Sequence, residues 1–109
     1  MPPTLLSTLE MPIRPAADVA RALEDKGMEC DESHHHMFRK TVDGVTRLVT
    51  RISHNADEIG DDLGKRMGNQ LCLQLREFWN LVDCPLSEED WDALVAERCP
   101  DGRNPFLRH

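Results

Sequence analysis

Apolar residues recur along this chain in two periods, and the switches between them mark out its elements. From Pro15 to Lys26 the positions Val19, Ala20, Leu23 and Ala22 return at helical spacing. Pro15 suits a first helical position, where its missing N–H costs nothing, and Gly27 supplies a left-handed residue to end the helix. Met28 to Asp31 alternates and reads as a short strand. His34 to Lys40 and Val45 to Ser53 also read as strands, with Val42-Asp43-Gly44 as a hairpin signal between them. Past His54 the helical period returns, with Ile59, Leu63, Met67, Leu71, Leu75 and Trp79 spaced by four. Asn55 as N-cap, with Glu58 three residues on, predicts one long helix to about Asp83, where Pro85 stops it. Gly60, Gly64 and Gly68 either allow close packing of that helix or mark a break near Asn69. Ser87 with Asp90 caps a last helix, Glu88 to about Arg98, which buries Trp91, Leu94 and Val95. The first fourteen residues are punctuated by proline, with a turn of helix over Leu5 to Leu9, and residues 100–109 read as a loose tail.

This order predicts a two-layer α+β domain. A three-stranded antiparallel sheet carries its helices on one face, in the sequence α-β-β-β-α, with an extra C-terminal helix. The divisions are an N-terminal segment, 1–14, the α-β-β-β-α domain, 15–83, and a helical extension and tail, 84–109. Strand alternation then sorts side chains by face. With Phe38 turned to the core, His34, His36 and Lys40 share its side, and His35, Met37 and Arg39 look the other way. On the next strand Thr46, Leu48, Thr50 and Ile52 make one face, and Val45, Arg47, Val49 and Arg51 the other. Two arginines on one side imply a wet side, so the sheet has one covered face and one open, basic face.

Charge sharpens this picture. The 109 residues carry a net −7, which argues against a general nucleic-acid binder. The balance is uneven, however. Residues 34–54 hold Arg39, Lys40, Arg47 and Arg51 against Asp43 alone, leaving +3, while residues 83–109 stand at −4. No stretch reaches the roughly 18 apolar residues of a spanning helix. The opening Met1-Pro2-Pro3-Thr4 lacks the cationic start of a secretory signal. Cys30, Cys72, Cys84 and Cys99 are far apart and form no C-x-x-C, so reduced thiols in a cytoplasmic protein are expected.

The candidate chemistry lies in Glu32-Ser33-His34-His35-His36-Met37-Phe38-Arg39-Lys40, which gathers three histidines, two cations and an aromatic ring. Histidine titrates near neutrality, so it serves as base, acid or metal ligand. His34 and His36, two apart on one face, are compatible with a metal pair, which would still need a third and fourth ligand, with His54 or Cys30 as candidates. The other reading is a pair of hydrogen-bonded histidines at the sheet edge. Cys84, Trp79 and Trp91 read as core residues, and neither paired catalytic carboxylates nor a phosphate-cradling glycine loop is evident.

The same stretch carries a resemblance. Leu23, Lys26-Gly27-Met28, Ser33-His34-His35-His36-Met37-Phe38-Arg39, Asp43-Gly44 and Ser53-His54 are similar to the HicA toxins, ribonucleases of toxin–antitoxin pairs with a double-stranded-RNA-binding-domain-like fold. The resemblance covers roughly residues 15–75. Arg51-Ile52-Ser53-His54, Glu58-Ile59-Gly60-Asp61, Met67, Gln70-Leu71 and Leu81-Val82-Asp83-Cys84-Pro85-Leu86-Ser87 look closer to a little-characterised branch of HicA-like proteins. It implies metal-independent cleavage of mRNA by a strand histidine, no cofactor, and an antitoxin of the HicB kind as partner. Aligning on Ser33 selects His34 as that histidine. Aligning on Phe38, by the His-x-x-Phe spacing, selects His35, which shares the open face with Arg39, Arg47 and Arg51; Lys40 completes the expected RNA-binding set. The chain departs from the family pattern in Glu32, where a glycine usually precedes the Ser-His pair, in its acidity, and in continuing for some 35 residues past the second helix. These departures suit the alternative role, a non-catalytic module that binds RNA or a protein through the same face.

Overall fold

The computed structural model describes residues 13–31, 36–83 and 85–107. The turn of helix expected over Leu5 to Leu9 lies outside them. Two residues, β1 (Arg14–Pro15), lead into α1 (Ala16–Asp25). The sheet follows as β2 (Glu29–Asp31), β3 (His36–Val42) and β4 (Thr46–Ile52), antiparallel in the order β2-β3-β4. Then come β5 (Glu58–Ile59), α2 (Asp61–Gln70), α3 (Leu75–Asp83) and α4 (Glu88–Arg98). The α+β architecture predicted from the pattern is therefore present.

Local signals account for the joints. Behind α1, Gly27 at φ 94° ends the helix, with its N–H on the Glu24 carbonyl (3.0 Å) and that of Met28 on the Leu23 carbonyl (3.1 Å). These are the two bonds of a Schellman cap. Asp43 and Gly44, both at positive φ, turn β3 into β4 under a Val45 N–H to Val42 carbonyl bond of 3.0 Å. Ser87 caps α4 by accepting from the Asp90 N–H at 3.1 Å.

The single long helix expected after Asn55 is corrected in two places. Asn55 caps nothing: its N–H bonds the Ser53 hydroxyl in a turn, and Glu58–Ile59 pairs with Arg14–Pro15 as a small antiparallel ladder. The helix begins at Asp61 and stops after Gln70, with α3 starting afresh at Leu75. Geometry explains the break. A residue every four positions advances about 40° beyond a full turn each time, so five steps from Ile59 to Trp79 swing the stripe through about 200°. One straight helix would carry half of that stripe away from the core. Splitting it buries Ile59, Met67, Leu71 and Trp79 together.

The core is continuous. Val19 and Leu23 of α1, Phe38, Leu48 and Ile52 of the sheet, Phe78 and Leu81 of α3, and Trp91 and Val95 of α4 belong to one buried cluster. All sheet residues in it lie on one face. The α2–α3 crossing is close: an added Cβ at Gly68 would sit 2.9 Å from the Phe78 Cβ and 3.3 Å from the Leu73 carbonyl. Gly68→Ala, which would stabilise an exposed helix by about 1 kcal/mol, is expected here to destabilise by about 1–3 kcal/mol. Urea unfolding of the variant checks the sign.

The expected loose tail is also corrected. Asn104 donates to the Asn69 carbonyl at 2.8 Å, Phe106 packs on the core, and Arg98 lies 5.5 Å over the Phe106 ring.

Candidate functional site

Strand register builds the open face. Glu29 stands opposite Arg39 and Arg39 opposite Val49; Asp31 stands opposite Met37 and Met37 opposite Arg51; Thr41 stands opposite Arg47. Directly opposed residues share a face, so Glu29, Asp31, Met37, Arg39, Thr41, Arg47, Val49 and Arg51 form one surface. The intervening residues Phe38, Val42, Thr46, Leu48, Thr50 and Ile52 are all buried under the helices. Arg47 and Arg51 are exposed, and among the described residues neither has an ion-pair partner. Four residues apart on one strand, they stand about 13 Å from each other. Arg39 is half-buried between them and the acidic edge, with its Nη1 3.5 Å from Asp31 Oδ2. The face is thus graded, with carboxylates along β2 and guanidiniums from the centre to β4.

Lys40 is not part of this surface. It lies on the covered side, as the alternation predicts, with 9 % of its side chain exposed. Its ammonium donates to Glu88 Oε2 at 2.7 Å, approaches Asp92 Oδ1 at 3.4 Å, and sits 5.5 Å from the Trp91 ring centre. The acidic helix α4 therefore neutralises Lys40 beneath the sheet and leaves Arg39, Arg47 and Arg51 uncovered. This contact also gives Gly27 a second reason to lack a side chain, because a Cβ there would collide with the Glu88 carboxylate.

His34 and His35, the two candidates for the catalytic histidine, lie outside the described residues. His36 faces the opposite way from Arg39. It borders a cavity of about 420 Å³ with Arg21, Glu24, Cys30, Ser53 and His54, between α1 and the end of the sheet. The His36 and His54 rings meet with centroids 4.4 Å apart and planes tilted by 57°. Of the residues weighed for a metal, the fold gathers Cys30, His36 and His54 around one cavity, and His34 lies outside the described residues. Among the described residues, however, no three histidine, cysteine or acidic side chains are arranged to hold an ion. The approach of His54 to His36 was not legible in the spacing; it follows from β4 running antiparallel to β3, which sets Ile52 opposite His36 and brings the next turn over it.

Among the described residues no helix is long and apolar enough to cross a membrane. No family model, curated protein or solved structure matches this chain.

Proposed function

We propose that this protein is a HicA-like endoribonuclease that takes single-stranded RNA, mRNA by the family resemblance, on the uncovered face of its sheet. The observation that supports the reading is the row of guanidiniums there: Arg39 at the centre, and Arg47 and Arg51 exposed on β4. Arginine meets phosphate through a planar fork of donors and keeps its charge at any physiological pH. Sequence alternation assigns His35 to the same face, where it would exchange a proton with the ribose 2′-hydroxyl while the arginines hold the phosphate. Lys40, bound to Glu88, takes no part. The protein partner is a small HicB-like antitoxin that covers this face.

Purified protein incubated with RNA in a chelator tests activity and metal independence together; intact RNA sinks the nuclease reading. The Arg47→Glu/Arg51→Glu double variant, whose substitutions are on the solvent side and leave the core untouched, tests the face itself. Each phosphate contact on a single strand contributes about −0.7 to the slope of log K against log salt. The double variant is expected to bind RNA weakly, with a slope shallower by about 1.4. Binding with the wild-type slope would place RNA elsewhere. Arginine-dependent binding without cleavage selects the non-catalytic module.

A further inference from the structure

Two helices of this fold end in the same Schellman cap. At the end of α1 the left-handed residue is Gly27; at the end of α2 it is Cys72, at φ 68°. The Cys72 N–H bonds the Asn69 carbonyl at 3.1 Å, and the Leu73 N–H bonds the Gly68 carbonyl at 2.8 Å. A residue with a Cβ is strained in this conformation, which is why glycine usually holds it. The strained position turns a thiol inward. Cys72 Sγ lies 2.6 Å from Sγ of Cys99, the residue that ends α4, 27 positions later in the chain. Carbon atoms, which are smaller than sulfur, make their best nonbonded contact at about 3.5–4.0 Å. Both cysteines are buried.

The backbone carbonyl of each cysteine is held by a contact of its own. Arg98 Nη1 donates to the Cys72 carbonyl at 2.9 Å while the same guanidinium grips Glu77 at 2.7 and 2.8 Å. The Thr46 hydroxyl donates to the Cys99 carbonyl at 3.3 Å. Two sulfurs from distant parts of the chain are therefore presented to each other by fixed backbone, and Cys30 is elsewhere, beside the histidine cavity.

We propose that Cys72 and Cys99 are an oxidation site that closes to an intramolecular disulfide, tying the end of α4 to the turn between α2 and α3. The oxidant is a small-molecule disulfide. One cysteine thiolate attacks a sulfur of that disulfide and displaces a small thiolate. The second cysteine thiolate then attacks the mixed disulfide and displaces the other. The cysteines together lose two electrons and two protons, and the oxidant leaves as two thiols. Burial and the Cys99 contact push the Cys72 thiol up to about 12. In the closed core Cys72 is therefore a poor nucleophile and both thiols are buried, so exchange proceeds as the end of α4 opens or before the core closes.

The test uses the full chain in oxidised glutathione, once folded and once unfolded and refolded in the same buffer. Alkylation in denaturant without reductant, then peptide mass analysis, reads the pairing. In the refolded arm the Cys72 and Cys99 peptides should be joined and lighter by two hydrogens, with Cys30 and Cys84 alkylated. Reduction should then lower the melting temperature by about 10 °C or more, as expected for a closed loop of this length. The Cys72→Ala/Cys99→Ala protein should melt at one temperature with or without reductant. Separate alkylation of both cysteines after refolding, a bridge to Cys30 or Cys84, or a melting temperature of the bridged protein that ignores reductant overturns the proposal. Pairing is read on the native chain, so a variant that fails to fold leaves that outcome intact.

Discussion

Trp91→Ala is expected to destabilise the fold by about 3–5 kcal/mol, the range for truncating a buried tryptophan. Domains of this size are commonly stable by about 5–15 kcal/mol, so much of the protein's stability would go. Three losses coincide at this side chain. The indole is fully buried, so truncation leaves a cavity among Leu71, Val95 and their neighbours. Its N–H donates to the Leu71 carbonyl at 3.0 Å, and that acceptor, at the end of α2, would be left unpaired. Its ring also lies beneath the Lys40 ammonium. Trp91→Phe separates these causes. It keeps most of the volume and the ring face but removes the donor, and should cost about 1–3 kcal/mol. Urea unfolding of both variants at one pH, with comparable slopes, gives the ranking. A loss below about 1 kcal/mol for the alanine variant would mean that α4 packs on the sheet without being needed by it.

The same residue shows what the sequence made legible and what it did not. Trp91 reads as core from its helical spacing with Val95, and Ser87 announces the helix start; both are local signals and both hold. Strand alternation sorted Phe38 from Arg39 and Leu48 from Arg47, because a period of two leaves no freedom once one residue is fixed in the core. Lys40 was assigned to its side by the same rule. Its capture by Glu88 was not legible, since 48 residues separate them and no pattern links them. The Arg14–Pro15 and Glu58–Ile59 ladder escaped for a similar reason: two-residue strands have no period, and their pairing is decided by the chain's return. The glycines offered a break near Asn69 as one of two readings, and the helix does stop after Gln70; its left-handed end at Cys72, where no glycine stands, is what the four-residue repeat conceals. The tail was misread because Asn104 and Phe106 work singly, one on the last carbonyls of α2 and the other under Arg98.

His35→Ala is expected to lower RNA cleavage by about 10²–10⁴-fold, the usual worth of one positioned acid–base group, with little change in RNA affinity. The two effects separate because they reside in different side chains. On the proposed reading, phosphate binding would belong to Arg39, Arg47 and Arg51, whose register is set by β3 and β4 and does not depend on an imidazole. Proton transfer from the 2′-hydroxyl would, on the same reading, belong to the histidine. A single-turnover rate with excess protein, set beside an equilibrium titration, reads each part. His34→Ala serves as the parallel variant, because alignment on Ser33 selects that residue, and the sequence alternation predicts for it the Phe38 side rather than the side of the guanidiniums. Full activity in His34→Ala with a collapse in His35→Ala assigns the base. The reverse pattern would move catalysis to the covered side, toward the cavity where His36 meets His54. In a host cell the consequence is sharper: induction of the wild type should arrest growth and His35→Ala should not. Equal tolerance of both, with RNA binding intact, would leave a face that holds RNA without cutting it.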